Sequence, residues 1–489
     1  MANQEQNLSL LIETIQEFHQ WKESQDRNLD QFFLAVMGIL IYFFAAMSYW
    51  LFGYAFAYGK GNSFIGYTYF AHSDMPNEDY VFWFYQYVFA ATSATIVSGA
   101  VAERCDFYAY IIYNCILTGF VYPVVTHWVW SGEGWLKHGQ TYTLSPEEGG
   151  EFTAGYVDHA GSGVVHMLGG ISAFLAAAAL GPRIGKFDKE TGRPVDIKGH
   201  SVPLAALGGF ILLFGFFAFN GSSQGHIAQP GDGVILAIAI KNTALSATGG
   251  AFTALIMNKT YFGDKKWSFL TTLNGCLTGM VSICGGCNQY HSYSAFAVGV
   301  IGGVSYMITT WLTIKMKVDD PLDATAVHVG GGVWGALAVP FFSTQYGIIY
   351  KWNKRSGYQL AWQLAGMASI FAWTSSLCFI MFFTLRKLGI FRVPFEYEIK
   401  GLDIPKHGEA AYPAESYGHG WGEKGDALAG LVKSAVSSSV VFTNRDVPRH
   451  IMGVQAAMKN TENPELDAAK RNSSVCSLSG SMDTIVTNF

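Results

Sequence analysis

The chain has 489 residues, of which 50% are hydrophobic and only 14% are charged. This composition excludes an ordinary soluble domain, because so much apolar surface needs lipid as its solvent. The formal net charge of -5 is too small and too dispersed for nucleic-acid binding. Cys284 and Cys287 are a close cysteine pair, but the second pair that a zinc site needs is missing. We therefore expect no metal and no cofactor.

The polar N-terminal segment, residues 1–31, has no apolar core typical of a cleavable signal peptide and is expected in the cytosol. Residues 32–392 contain apolar runs of about 20 residues, the length that crosses a bilayer. The sequence therefore predicts an all-α polytopic membrane protein. Ten such runs begin near Phe32, Tyr80, Phe107, Ala160, Ser201, Val234, Ser268, Ser294, Ala324 and Leu360.

Basic residues alternate between the connecting loops and predict the orientation of the helices. Residues 182–199 and the loop near Asn258 are rich in Lys and Arg and should face the cytosol, whereas residues 131–158 are acidic and should face outward. One outer loop breaks the rule, since it carries Lys351, Lys354 and Arg355. Both chain termini are then cytosolic.

The C-terminal tail, residues 393–489, is polar and is expected in the cytosol. Residues 401–412 are denser in Pro, His and aromatic side chains and are a candidate for docking on the membrane domain. From residue 434 onward the apolar content is too low to offset chain entropy, which predicts disorder.

Two histidines, His166 and His328, lie inside apolar helices, where ionisable side chains are costly and usually face a cavity or a partner. Each follows an acidic helix start and precedes glycines. One interpretation is a single histidine bonded to a backbone carbonyl. The other is a pair that shares a proton and lines a narrow path, offering one donor and one acceptor to a small nitrogen hydride.

Aromatic residues stand at the predicted outer helix ends, among them Trp130, Phe89 and Phe219. They are typical of an interfacial aromatic belt. They equally suit a cation-π site followed by a phenylalanine gate. Sequence position leaves both interpretations open.

Several long motifs together resemble the ammonium transporter (Amt/Mep) family, in its eukaryotic, plant-like form, over about residues 44–412. They are residues 158–170 with Gly181-Pro182-Arg183, residues 99–104, 127–135 and 219–223, and residues 318–323 followed by His328.

The resemblance implies roles for particular residues. Trp130, Ser223 and Phe89 would form an outer ammonium site, and Phe89 and Phe219 would be a stacked gate. His166 and His328 would be the twin histidines of the pore, and Asp158 a buried structural acid. Phe216 stands where many members have tryptophan, which would soften packing near the outer vestibule.

The resemblance also implies an inverted-repeat fold of eleven helices, assembled as a homotrimer in the cell membrane. The expected function is an ammonium transporter or channel that recruits NH4+ and conducts ammonia, with or without the proton, across the lipid bilayer. No enzyme activity is expected. The alternative is an ammonium sensor or a non-conducting regulatory isoform.

The N-terminal apolar run departs from the family, which has two helices there. Residues 32–58 look like the start of the first helix joined to the end of the second, with about 30 residues missing, as in a splice form or an incomplete gene model. One crossing helix replaces two, so ten helices are predicted where the family has eleven.

This fused run predicts a topology and an assembly defect. We predict that a tag at residue 2 is inaccessible from outside the cell, and that the chain forms fewer stable trimers and conducts less than a version with the segment restored. Surface labelling and native size analysis of both versions measure this. A tag labelled from outside, or full activity with normal trimers, would contradict it.

Overall fold

The computed structural model describes residues 31–145, 150–199, 201–262, 265–400, 402 and 406. Three predictions fall outside this part of the chain, apart from Leu402 and Lys406. They are the cytosolic segment before residue 31, the docking of residues 401–412 and the disorder of the distal tail. Ten helical segments of ten residues or more organise the described residues. They are α1 (Gln31–Ser48, Tyr49–Gly53 and Tyr54–Tyr58), α2 (Asp79–Val101), α3 (Phe107–Ile116, Leu117–Val121 and Tyr122–Trp130), α4 (Ser162–Met167 and Leu168–Leu180), α5 (Val202–Ser222), α6 (Asp232–Met257 and Asn258–Phe262), α7 (Phe269–Ile283), α8 (Ser292–Lys315), α9 (Ala326–Gly330 and Gly331–Phe342) and α10 (Lys354–Lys387).

The architecture is that of a multi-pass membrane protein, as predicted. Seven helices are long and apolar enough to cross a membrane, while α2 falls outside this set and α7 and α9 are shorter apolar helices. The count of ten crossings therefore stays a prediction. The run 31–58 forms one continuous helix, since a single π-helical turn, Tyr49–Gly53, joins its two α-helical parts.

A small β-hairpin is the exception to the all-α prediction. Strands β1 (Gln140–Thr143) and β2 (Glu151–Ala154) pair antiparallel within the acidic loop 131–158. Tyr142 and Phe152 are direct cross-strand partners with stacked rings, and aromatic pairs of this kind stabilise a hairpin.

Polar side chains start four of the helices. Asp106, Ser201, Ser268 and Asn353 each accept a hydrogen bond from a backbone N–H of the first turn of α3, α5, α7 and α10. Such caps satisfy donors that a helix start leaves unpaired, which matters more where lipid replaces water.

The buried apolar side chains form two main clusters. One is built mainly by α1–α4 with α10, and the other mainly by α5–α9. The two parts meet where α4 lies against α9, and the histidines of the sequence prediction lie on these two helices.

A buried ionic network joins the loops at the predicted cytosolic end. Arg183 makes a two-point contact with Asp319, at 2.8 and 3.0 Å, and a further bond to Glu103 at 3.0 Å. Arg104 is fully buried and donates to the carbonyls of Gly181 and Asp319 at 2.8 and 2.7 Å. Burial alone would raise the pKa of Asp319, but the Arg183 guanidinium holds it below its ordinary value. The network ties the loops after α2, α4 and α8 together.

Removal of Asp319 tests this network. Asp319→Ala leaves Arg183 buried without its main partner, and breaking one side of a buried pair costs about 3–5 kcal/mol. We predict a clearly lower thermal unfolding midpoint for the purified protein in detergent. Glu190→Gln, an exposed change in the adjacent loop, is the control and should leave the midpoint unchanged. Equal midpoints for both variants would contradict the prediction.

Candidate functional site

Five aromatic side chains from five different helices lie in contact one after another. The ring centroids of Trp130 and Phe89 are 5.7 Å apart, and those of Phe89 and Phe219 are 4.3 Å apart. Phe219 then lies 5.6 Å from His166, and His166 lies 5.2 Å from His328. The structure thus brings together, in this order, the aromatic and histidine residues that the sequence singles out. We call this set the ring series.

The two histidines form a direct pair. Their Nδ1 atoms are 3.2 Å apart and their rings lie 19° from parallel. One Nδ1 donates its hydrogen to the other, so the two Nε2 atoms are left as one donor and one acceptor, whichever tautomer is present. Nε2 of His166 is buried and has no hydrogen-bond partner among the described residues. The geometry therefore favours the paired interpretation over a single histidine bonded to a carbonyl.

Both histidines lie in π-helical turns that open their helices. These turns are Ser162–Met167 in α4 and Ala326–Gly330 in α9. π-helical turns widen the backbone and are frequent at functional sites.

Glycines one turn after each histidine allow the two helices to meet. A Cβ at Gly170 would lie 2.5 Å from the backbone nitrogen of Val329 and 2.8 Å from the carbonyl carbon of His328. A Cβ at Gly332 would lie 2.6 Å from the backbone nitrogen of Met167. Each helix therefore approaches the histidine turn of the other more closely than any side chain permits.

Asp158 caps the turn that holds His166. Its carboxylate accepts four backbone N–H groups, those of residues 161–164, at 2.7–3.0 Å. Burial raises the pKa of this carboxyl to about 6, and the four donors oppose the rise. Asp158 is buried, and its contacts set the start of α4.

The outer end of the ring series is held by hydrogen bonds. Nε1 of Trp130 donates to the backbone carbonyl of Asp158 at 2.7 Å, and the indole keeps part of its surface exposed. Ser223 follows directly after α5, and its Oγ donates to the carbonyl of Phe219 at 2.8 Å. The hydroxyl oxygen keeps acceptor capacity.

Two further aromatic side chains contact these residues. The ring of Phe216, one turn before Phe219 on α5, lies 5.6 Å from that of His166 and 5.8 Å from that of Phe219. Tyr85 was missed altogether. Its ring lies 4.9 Å from Phe89 and its hydroxyl donates to the carbonyl of Ser222 at 3.1 Å. Its position one turn before Phe89 was the available signal.

The described residues contain no group of three or more His, Cys, Asp or Glu side chains that could hold a metal ion. Cys284 and Cys287 are buried and unoxidised, and the thiol of Cys284 contacts Oδ1 of Asn220 at 3.1 Å.

Comparison with known proteins gives a consistent picture. The model of the Ammonium Transporter Family matches residues 19–412. This match begins 25 residues before residue 44, where the motif resemblance begins. A Caenorhabditis elegans relative is 46% identical over 394 residues, which cover 77% of this chain and 71% of that protein. Ammonium transporter 1 member 3 of Solanum lycopersicum is 39% identical over 396 residues, which cover 76% of this chain and 83% of that protein. A solved structure described as a sensor Amt protein is 31% identical, with a TM-score of 0.68 over 80% of this chain and 94% of that one.

The glycine contacts generate a prediction about packing. Gly170→Ala forces the histidine turns of α4 and α9 apart, and overpacking of this kind costs about 1–3 kcal/mol. We expect a lower thermal unfolding midpoint in detergent. Gly208→Ala is the matched control, because a Cβ at this helical glycine meets nothing within 4 Å. If Gly170→Ala is as stable as the control, the close approach does not constrain the pair.

Proposed function

The chain belongs to the ammonium transporter family, and from this premise we propose that it conducts ammonium-derived nitrogen through the ring series, from Trp130 to His328. Family membership makes it a multi-pass membrane transporter and not an enzyme. The observation that carries the proposal is the histidine pair, with Nδ1 atoms 3.2 Å apart, in an interior whose core clusters are apolar.

Ammonium needs a replacement for its water before it can enter. Burying a bare cation costs several kcal/mol or more, even with local relaxation. In this proposal the partly exposed indole of Trp130 offers a π face, and Oγ of Ser223 offers an acceptor. Phe89, whose ring meets that of Trp130 nearly edge-on at 81°, forms the floor of this outer site. An alkali ion forms no N–H bonds there, which gives selectivity.

Phe89 and Phe219 act as the gate. Their centroids are 4.3 Å apart, so a molecule can pass only when at least one ring moves. Below the gate the apolar surroundings disfavour a charged species, and ammonium therefore gives its proton to water at or above this point. The histidine pair then supplies a donor and an acceptor to ammonia through its two Nε2 atoms.

We further propose a homotrimer in the cell membrane, with one path in each subunit and a cytosolic C-terminus. Helix α5 supports an assembly, since its outer face exposes large apolar side chains such as Phe210 and Phe214. This face adjoins an open cavity of about 430 Å³ between α5, α6 and α7, lined by residues including Leu213 and Phe252. Lipid tails or a neighbouring subunit would have to cover it.

A second candidate is an ammonium sensor that uses the same outer site. It is favoured by the similarity to the sensor Amt protein and by the residues that follow the family match. Labelled methylammonium uptake in cells without their own transporters separates the two, because a sensor binds without sustained uptake.

Histidine substitutions test the proposed path. His166→Ala or His328→Ala removes the partner of the remaining imidazole, which is half-buried for His328 and buried for His166, a penalty of about 1–3 kcal/mol. We expect methylammonium uptake to fall about tenfold or more, or its selectivity over potassium to change, with surface expression intact. Substitution of one histidine by glutamate, which can also share a proton, should preserve more activity. His291→Ala, an exposed histidine, is the control. Unchanged flux and selectivity in both alanine variants would refute the pore assignment.

A further inference from the structure

One face of α10 carries two buried glutamines and a glycine that no motif of the sequence includes. Gln359, Gln363 and Gly366 are spaced four and three residues apart, so they lie on the same side of the helix. Gln363 is fully buried and Gln359 is 4% exposed. Buried amides inside an apolar helix need partners, and their partners indicate what this face does.

The amide of Gln363 holds both backbone groups of Val157. The N–H of Val157 donates to Oε1 at 3.1 Å, and Nε2 donates to the carbonyl of Val157 at 2.8 Å. Only this orientation of the amide satisfies both bonds. Gln359 extends the contact, since its Nε2 donates to the carbonyl of Gly155 at 2.5 Å. The two side chains thus bind residues 155–157 as a neighbouring β-strand would.

Gly366 completes this face by leaving room for Tyr156. A Cβ at residue 366 would lie 2.2 Å from Cδ2 of Tyr156, so the ring packs directly on the helix backbone. We call the contacts of Gln359, Gln363 and Gly366 with residues 155–157 the α10 clamp.

A second contact fixes the outer end of α10 on the β-hairpin that precedes the clamped segment. The rings of Tyr358 and Tyr142 stack 3.9 Å apart, and Nε1 of Trp362 donates to the hydroxyl of Tyr142 at 3.1 Å. Arg355, one of the basic residues that break the charge rule, lies 5.5 Å from the ring centroid of Phe152. These contacts join the hairpin, like the clamped segment, to α10.

The residue after the clamped segment is Asp158. Its carbonyl accepts the indole N–H of Trp130, and its carboxylate caps the turn that holds His166. A displacement of Val157 would move both groups, because one peptide bond joins it to Asp158. The clamp thus acts on the outer site through Asp158 and touches no proposed substrate position itself.

We propose that Gln363, supported by Gln359, is a positioning residue for the outer ammonium site. This inference rests on the proposed function, because the site it positions is the one built around Trp130. Val157 is half-buried, and without Gln363 both of its backbone groups lose their hydrogen-bond partner, so the segment shifts to find other partners.

The test compares Gln363→Met with Ser369→Ala in the full chain. Methionine keeps length and apolar volume but removes both hydrogen bonds to Val157. Ser369 lies on the same helix and bonds only within it, to the carbonyl of Ala365. Gln359→Met removes a single bond and serves as a milder second variant if Gln363→Met does not fold.

Three measurements are made on each protein. The first is labelled methylammonium uptake, and the second is the gain in stability in ammonium chloride compared with sodium chloride at equal ionic strength. The third is hydrogen exchange of the peptide spanning residues 155–165. Gln363→Met should raise the half-saturating methylammonium concentration about tenfold, with maximal uptake per surface transporter changed less than about twofold. It should raise, by the same factor, the ammonium concentration that gives half of the maximal stabilisation. It should also speed hydrogen exchange in the peptide 155–165. Gln359→Met should act in the same direction with a smaller effect, and Ser369→Ala should match the wild type.

The outcomes separate this inference from the proposed function. If the wild type shows no uptake but is stabilised by ammonium, conduction fails and the midpoint shift still decides the role of Gln363. If the wild type shows neither, the outer site fails and this inference with it. The positioning role is overturned, even with normal uptake, if both glutamine variants leave unchanged the half-saturating methylammonium concentration or the ammonium concentration that gives half of the maximal stabilisation.

Discussion

The contact between the imidazoles of His166 and His328 is the constraint on which the rest of the site depends. Each ring is polar in an apolar interior, and each Nδ1 is satisfied by the other at 3.2 Å. That arrangement requires two helix starts to meet within van der Waals distance. The glycines at 170 and 332 permit the approach, and the π-helical turns present both histidines at the same level. The pair is therefore a product of backbone packing as much as of the two side chains.

The close contact between α4 and α9 is kept only if other parts of the chain hold both helices in place. At the predicted cytosolic end, Arg183 and Asp319 join the loop after α4 to the loop before α9. At the other end, Asp158 caps α4 while the amide of Gln363 binds the residue before it. The helix that carries His166 is thus fixed at both ends by buried polar contacts.

The sequence indicates chemistry better than it indicates geometry. Intramembrane histidines, a preceding acid and trailing glycines are recognisable because each residue type is costly or unusual in an apolar helix, so His166, His328 and Asp158 could be found without a structure. The order of contacts from Trp130 to His328 depends on how α2, α3 and α5 rotate about their axes, and apolar helices with little amphipathic pattern do not encode that rotation. The contact of Phe216 with His166 is absent from the sequence prediction for this reason. Gln363 escaped notice because its partner is backbone, which has no sequence signature.

Residues 31–58, which the sequence predicts to be a fusion of two helices, pack on the rest of the described chain as the single helix α1. Helix α1 docks on its neighbours through backbone carbonyls: Ser48 donates to Cys115 at 2.7 Å, the hydroxyl of Tyr87 donates to Tyr42 at 2.8 Å, and Asn114 donates to Ile41 at 3.1 Å. Each of these bonds has a backbone carbonyl as its acceptor, so it does not depend on the side chain of the accepting residue. The opposite face of α1 exposes apolar residues such as Ile39 and Phe43 to the surroundings. If a helix segment is missing here, as the sequence predicts, this exposed face is where lipid or a neighbouring subunit would meet the change. The ring series draws its members from α2, α3, α4, α5 and α9 and none from α1.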